Sequence, residues 1–103
     1  MWAQLITMRL KPGGEAGLPK LVEQLRATEQ PGSGLVRSTA LRDQKDPSRV
    51  SFLVVFESEE RARERENDPR REELMQAARA TMADMFDGAP EFVDLVVVDE
   101  VAP

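Results

Sequence analysis

The run VSFLVVF at residues 50–56 is the strongest β-strand signal in this 103-residue sequence, and it decides the fold. β-Branched and aromatic residues dominate the run, as is typical of strands. Successive side chains of a strand point to opposite faces of the sheet. One face of this strand carries Phe52, Val54 and Phe56, and the other carries Leu53 and Val55. Because both faces are apolar, we predict a strand whose sheet is covered on both sides.

Helix and strand patterns flank this run. Apolar residues recur at i, i+3, i+4 and i+7 from Leu18 to Leu25, which places them on one face of a helix. Asp68-Pro69 provides an N-cap and a first helical position after a charged run, so a helix restarts there. The predicted elements are a strand at 2–11, a helix from near Gly17 to before Pro31, strands at 35–43 and 50–56, a helical region from Ser58 to a stop at Asp87-Gly88-Ala89-Pro90, and a strand at 92–98.

This order of elements predicts a ferredoxin-like α+β sandwich, βαββαβ, with strands one and three in the centre of the sheet. No linker or low-complexity segment interrupts residues 1–103, so we predict one domain with an ordered core at about 2–98 and a short C-terminal tail. Two helices cover only one face of the sheet. We therefore expect the second apolar face to meet the sheet of another copy in a homodimer.

The composition excludes several kinds of chemistry. The chain has no His and no Cys, so it lacks an imidazole base, a thiolate nucleophile and the usual ligands of a zinc or haem site. Its net charge of −5 argues against binding along a phosphate backbone, and no nucleic-acid partner is expected. No apolar run approaches the ~20 residues of a transmembrane helix, and the N-terminus lacks a signal-peptide pattern. We expect no membrane association and a cytoplasmic location.

Four segments carry a resemblance to a known family: WAQLITMRLKPG at residues 2–13, the break at Pro31–Gly34, VVFESEE at residues 54–60, and Asp68-Pro69. From about residue 2 to residue 98, the sequence resembles antibiotic biosynthesis monooxygenase domains. The resemblance implies a dimeric α+β barrel, in which two ferredoxin-like subunits pack sheet to sheet. It also implies oxidation of phenolic or quinol substrates by oxygen without a cofactor, although other members of the family degrade haem.

Departures from the family pattern argue against the haem-degrading function. The haem-degrading relatives use an Asn, a Trp and an axial His, whereas this chain has no His, one Asn (Asn67) and one Trp (Trp2). The resemblance therefore implies no cofactor and no metal, and a small aromatic or polyketide-type ligand. A non-catalytic dimer that binds a small hydrophobic molecule, or a regulatory module, remains the alternative.

Candidate ligand-binding residues come from charged positions in strands and from apolar positions that could line a pocket. Charges within strands need a partner or solvent, so Arg9 and Arg37 are candidates for holding an anionic oxygen, or for ion pairs with Asp94. Asp94 is itself a candidate base, and no catalytic residue is assigned. The full ligand-binding set is Arg9, Arg37, Phe52, Phe56, Met82, Phe86 and Asp94. The residues predicted at the dimer interface are Trp2, Leu53 and Val55.

Overall fold

Four antiparallel strands form one sheet in the order β2-β3-β1-β4, in a computed structural model that describes all 103 residues. The elements are β1 (Trp2–Leu10), a 3-10 turn (Gly14–Gly17), α1 (Leu18–Ala27), β2 (Leu35–Arg42), β3 (Arg49–Phe56), α2 (Glu59–Glu66), α3 (Pro69–Met85) and β4 (Phe86–Val96). The predicted ferredoxin-like α+β fold is confirmed, with β1 and β3 in the centre.

The second helical region consists of two helices, so the order is βαββααβ. The Ser58 side chain accepts a hydrogen bond from the Arg61 backbone N–H at 3.2 Å and caps α2. Asp68 accepts from the Arg70 N–H at 2.9 Å and caps α3, with Pro69 in its first turn. These side-chain bonds satisfy backbone donors that a helix start leaves free. The predicted restart at Asp68-Pro69 is therefore a complete break between α2 and α3.

β4 begins six residues earlier than the sequence predicts. The prediction placed this strand at 92–98 and put Phe86 on the helix, but α3 ends at Met85 and Phe86 already pairs with Leu10. The register of β1 against β4 shifts between Thr7 and Arg9, opposite a segment that contains Gly88 at φ 74°. Glycine adopts this φ without steric cost, so β4 bends there and continues instead of ending in a loop.

The two faces of the sheet have different surroundings. The helices cover the face that carries Ile6, Phe52 and Val54. The main apolar core lies between this face and the helices. The other face, called here the open face, carries Leu5, Leu53 and Val93 in one row across three strands. Val93 is 49% exposed, and Leu41 at the edge of the same face is 46% exposed.

The C-terminal segment crosses one end of the open face. Its first residue after β4, Val97, donates a backbone hydrogen bond to the Met1 carbonyl at 3.2 Å. Three residues later, Glu100 forms an ion pair with Arg37 on β2, the opposite edge strand. Ala3 and Val55, which lie in the same row as Arg37, are buried.

No helix in the structure combines the length and the apolar character that crossing a bilayer would require.

Candidate functional site

A cavity of about 530 Å³ lies between the helices and the covered face of the sheet. Most of its lining is apolar, and all four strands and all three α-helices contribute to it. The strands contribute Trp2, Gln4, Ile6, Met8, Leu35, Ser38, Ala40, Phe52, Val54, Phe56, Pro90 and Phe92. The helices and the turn after α1 contribute Val22, Leu25, Arg26, Glu29, Ala62, Arg65, Glu66, Arg71, Met75 and Met82.

Residue spacing explains how these side chains reach the cavity. Alternate residues of β1 and β3 point to the same face, so Ile6 and Phe52, which are paired across the two strands, both line it. On α3, Arg71, Met75 and Met82 fall at i, i+4 and i+11, which keeps them on one side of the helix. Met75 is buried and Met82 packs against the core. This stripe places apolar side chains along the cavity and a guanidinium at one end of it.

Charged side chains gather at that end, where α2, the start of α3 and the turn after α1 meet. Arg65 and Glu29 form an ion pair that joins α2 to this turn. The Arg65 guanidinium also lies 5.4 Å from the centre of the Phe56 ring, a cation–π distance. Glu66, the other cavity carboxylate, is held by Arg63 at 3.0 Å. Both carboxylates that line the cavity are thus paired with arginines.

Arg71 differs from these arginines because it forms no ion pair. Its Nε is buried and has no hydrogen-bond partner. Burial is the main cause that lowers the pKa of Arg71 below its ordinary value, and repulsion from the Arg65 charge is the second cause. Arginine nevertheless stays protonated in proteins, so this end of the cavity holds an unpaired positive charge.

The structure brings three of the seven predicted ligand-binding residues to the cavity: Phe52, Phe56 and Met82. Phe86 lies outside the cavity lining, in the core where α3 passes into β4. Asp94 also lies outside it, where it accepts hydrogen bonds from Gln4 at 3.0 Å and Arg63 at 3.4 Å.

The two predicted strand arginines lie on the open face, away from the cavity. Arg9 donates to Ser48 at 2.6 Å and forms an ion pair with Asp46 at 3.3 Å, and Arg37 forms its ion pair with Glu100. Of the residues predicted at the dimer interface, Leu53 and Val55 lie on the open face. Trp2 lines the cavity instead, 6.0 Å from Phe56 between ring centres.

The charged end of the cavity was not predicted, because Arg65, Glu66 and Arg71 lie in the charged run around Asp68-Pro69, from which no candidate site residue was taken. One signal was available: Arg71 stands four residues before Met75, at the start of the apolar stripe. Nowhere in the chain do three or more acidic side chains come together as a group that could hold a metal ion.

Comparison of the fold with solved structures finds strong similarity at low sequence identity. A protein of unknown function from Nitrosomonas europaea has a TM-score of 0.75 at 20% identity, covering 99% of this chain and 93% of that chain. A candidate antibiotic biosynthesis monooxygenase from Caulobacter crescentus has a TM-score of 0.77 at 19% identity, covering 95% and 90%. A second such candidate, from Chloroflexus aurantiacus, has a TM-score of 0.70 at 21% identity, covering 99% and 98%.

Comparison of the sequence with curated proteins finds no match. The family model described as antibiotic biosynthesis monooxygenase matches residues 1–80, about three quarters of the sequence and most of the secondary-structure elements. The matched region includes β1 to β3, α1, α2 and most of α3, which together supply most of the cavity lining. The chain therefore belongs to the antibiotic biosynthesis monooxygenase family.

Proposed function

We propose that the protein is a homodimeric, cofactor-independent monooxygenase that acts on a small aromatic or polyketide-type substrate. The observation that carries this proposal is the cavity between helices and sheet. Its volume of about 530 Å³ falls within the ~300–1,000 Å³ range of small-molecule sites. Its lining includes the aromatic rings of Trp2, Phe52, Phe56 and Phe92, which suit a flat, apolar molecule.

The proposed reaction uses molecular oxygen as the oxidant. A methylene group between two aromatic rings loses a proton to water, and the resulting carbanion is electron-rich enough to react with oxygen. One oxygen atom becomes a carbonyl on that carbon, and the other leaves as water with the two methylene hydrogens, so no external reductant is needed. The protein would contribute a desolvated, apolar site that holds the substrate and a positive charge near its anionic form.

The open face of the sheet supports the homodimer. Leu5, Leu53 and Val93 form an apolar row across it, and Val93 is half exposed in the single chain. A second copy offers the same surface in a two-fold arrangement, which buries the row on both subunits. The cavity lies on the opposite side of the sheet, so each subunit would keep its own site.

The test is incubation with anthrone under ¹⁸O₂, followed by mass spectrometry of the anthraquinone formed. We expect ¹⁸O incorporation above the buffer rate for the unaltered protein. Ala40, on β2, lines the cavity and is exposed, so Ala40→Phe would fill space there without removing a core contact. It should lower turnover by about tenfold or more. Ala80→Phe, on the exposed side of α3, is the matched control and should keep full turnover.

One observation favours a second function, a dimer that binds a small hydrophobic molecule without turning it over. The two carboxylates that line the cavity, Glu29 and Glu66, are both paired with arginines, and the chain has no His, Tyr or Cys to act as a base. Saturable binding of anthrone, lost in Ala40→Phe but without oxygen incorporation, would support this second function over the first. Equal turnover by Ala40→Phe and the unaltered protein would contradict the cavity as the site.

A further inference from the structure

We propose that Arg71 anchors the ligand through a carboxylate, so the cavity selects a flat, apolar molecule that carries one carboxylate at its end. This inference rests on the proposed function of the cavity and specifies the ligand class. It follows from four features of Arg71: its missing partner, the pairing of its acidic neighbours, its place on the helix and its distance from the apolar end.

The first feature is the missing partner. Arg71 Nε is buried without a hydrogen bond, and no acidic oxygen lies within ion-pair distance of its guanidinium. Its sequence neighbour Arg70 is paired instead, with two side-chain hydrogen bonds to Asp68 at 2.8 and 3.1 Å. A buried charged donor without a partner is unfavourable, and a bound anion would supply the partner.

The second feature is the pairing of nearby acidic groups. Glu29 and Glu66 are close enough to raise the pKa of Arg71 by charge attraction. However, Glu29 forms an ion pair with Arg65, and Glu66 forms one with Arg63. Arg65 and Arg79 add positive charge at the same place. The local field at Arg71 is therefore not cancelled by the protein. A ligand anion meets a guanidinium that no carboxylate of the chain occupies.

The third feature is the position of Arg71 in the first turn of α3, immediately after Pro69 and Arg70. The N-terminal end of a helix carries partial positive charge, so a cation there is unfavourable for the helix. Neither helix stability nor an ion pair explains this arginine. Its guanidinium presents parallel N–H donors that match the two oxygens of a carboxylate.

The fourth feature is the separation between the charged and apolar ends of the cavity. Met82 follows Arg71 by eleven residues on the same side of α3, a rise of about 16 Å along the helix axis. Met75, one turn from Arg71, is buried between them. A ligand bound at Arg71 would therefore place its apolar body against Met75 and extend towards Met82 and Met8.

The test compares two fluorescent probes of the same shape, anthracene-2-carboxylate and the neutral 2-(hydroxymethyl)anthracene, by titration of the protein at pH 7. We expect the unaltered protein to bind the carboxylate about tenfold or more tightly than the alcohol. Arg71→Met keeps an unbranched apolar stem of about the length of the arginine stem and removes the guanidinium with its charge, so the preference should disappear. Lys20→Met removes one positive charge from the exposed side of α1, away from the cavity and from Arg71, and should keep the preference.

A thermal melt separates ligand binding from a structural role. Because Arg71 has no partner to lose, Arg71→Met should unfold at the same temperature or higher, whereas a structural arginine would lower the midpoint. Equal binding of both probes by the unaltered protein would overturn the carboxylate anchor and leave the cavity as an apolar site. Binding of neither probe would overturn the proposed binding function and the anchor together.

Discussion

Glu29 accepts two hydrogen bonds from the guanidinium of Arg65, one of them from Nε at 3.1 Å, and this pair ties the turn after α1 to α2 beside the cavity. The side chain of Arg65 is only 14% exposed and that of Glu29 is 28% exposed. Their pairing therefore takes place largely out of water. It also keeps Arg65 occupied. Arg26 and Arg71 are the other arginines of the cavity lining, and of these two only Arg71 has a buried donor without a partner.

Replacement of Glu29 tests how far this pair stabilises the fold. Glu29→Gln leaves the largely buried side chain of Arg65 without its counter-charge, and we expect the free energy of unfolding to fall by about 1–3 kcal/mol. Urea denaturation followed by circular dichroism measures the change. Glu23→Gln is the matched control, because Glu23 is exposed on α1 and forms no ion pair; it should change stability by less than about 0.5 kcal/mol. Equal stability of the two variants would contradict a stabilising role for the pair.

Alanine substitutions at two glycines before β2 distinguish the cost of backbone strain from the cost of steric overlap. Gly32 and Gly34 both have positive φ, 74° and 81°, but an added Cβ meets nothing within 4 Å at Gly32 and lies 2.6 Å from the Arg61 Cβ at Gly34. Gly32→Ala should cost about 1 kcal/mol for the left-handed conformation alone. Gly34→Ala should cost a further 1–3 kcal/mol or so, because it forces α2 away from this turn.

Chemical denaturation of the two alanine variants in parallel gives both values. Gly32→Ala is the control for the conformational cost, since it shares the φ but not the overlap. If both variants lost the same stability, the close approach of Arg61 to Gly34 would not constrain the packing of α2.

Acid should remove the stabilising charge of the cap of α3. Hydrogen bonds from the side chain and backbone of Arg70 lower the pKa of Asp68 below its ordinary value of 3.8. Because the folded-state pKa is lowered, the stabilisation is present above the unfolded-state pKa and is lost as the pH falls through the folded-state pKa. Asp68→Asn keeps a capping oxygen without the charge, and should lower Tm at pH 7 by about 2–5 °C.

The same comparison at low pH tests the sign of this effect. Below the folded-state pKa, Asp68 is neutral in both states, so the Tm difference between Asp68→Asn and the unaltered protein should shrink towards zero. Glu23→Gln, which removes a charge without a partner, serves as the control at each pH. A difference that widens on acidification would show that the charge of Asp68 destabilises the cap.

The elements that the sequence predicted well are those in which the local sequence pattern and the tertiary contacts favour the same secondary structure. All residues of the run at 50–56 belong to β3. The i, i+3, i+4, i+7 stripe of α1 packs into the apolar core, as expected. Phe86 is the opposite case. Its position after Met82 and Met85 continues a helical stripe, but pairing with Leu10 draws it into β4. Leu10 is far from Phe86 in the sequence, so local sequence patterns cannot predict that the two residues pair.

The candidate site was less predictable than the fold, for a physical reason. Phe52, Phe56 and Met82 reach the cavity because it is lined by apolar residues of the covered sheet face and of the side of α3 that faces it. Arg71 lies in a segment of mixed charges, where most side chains pair with neighbours three or four residues away. Whether one arginine of such a segment lacks a partner depends on how α2, α3 and the turn after α1 meet, and the sequence does not contain that geometry explicitly.

The proposed homodimer predicts that a charge in the middle of the open face will separate the subunits. Leu53 pairs with Leu5 and Thr39 at the centre of that face, and Leu53→Asp would bury a carboxylate without a partner in the interface. Light scattering should give twice the 11.5 kDa chain mass for the unaltered protein and the single-chain mass for the variant. Far-UV circular dichroism checks that the variant is folded.

Two further variants make this result specific to the sheet face. Val93→Asp places the charge at an exposed site in the same row, so it should also give monomers with little cost to the fold. Leu74→Asp changes a residue on α3 that is similarly exposed, at 44%, and should leave the dimer intact. Dimers of both Leu53→Asp and Val93→Asp would place the interface elsewhere on the molecule. A monomer of the unaltered protein would mean that the open face stays in contact with water, and the apolar row from Leu5 to Val93 would then need another explanation.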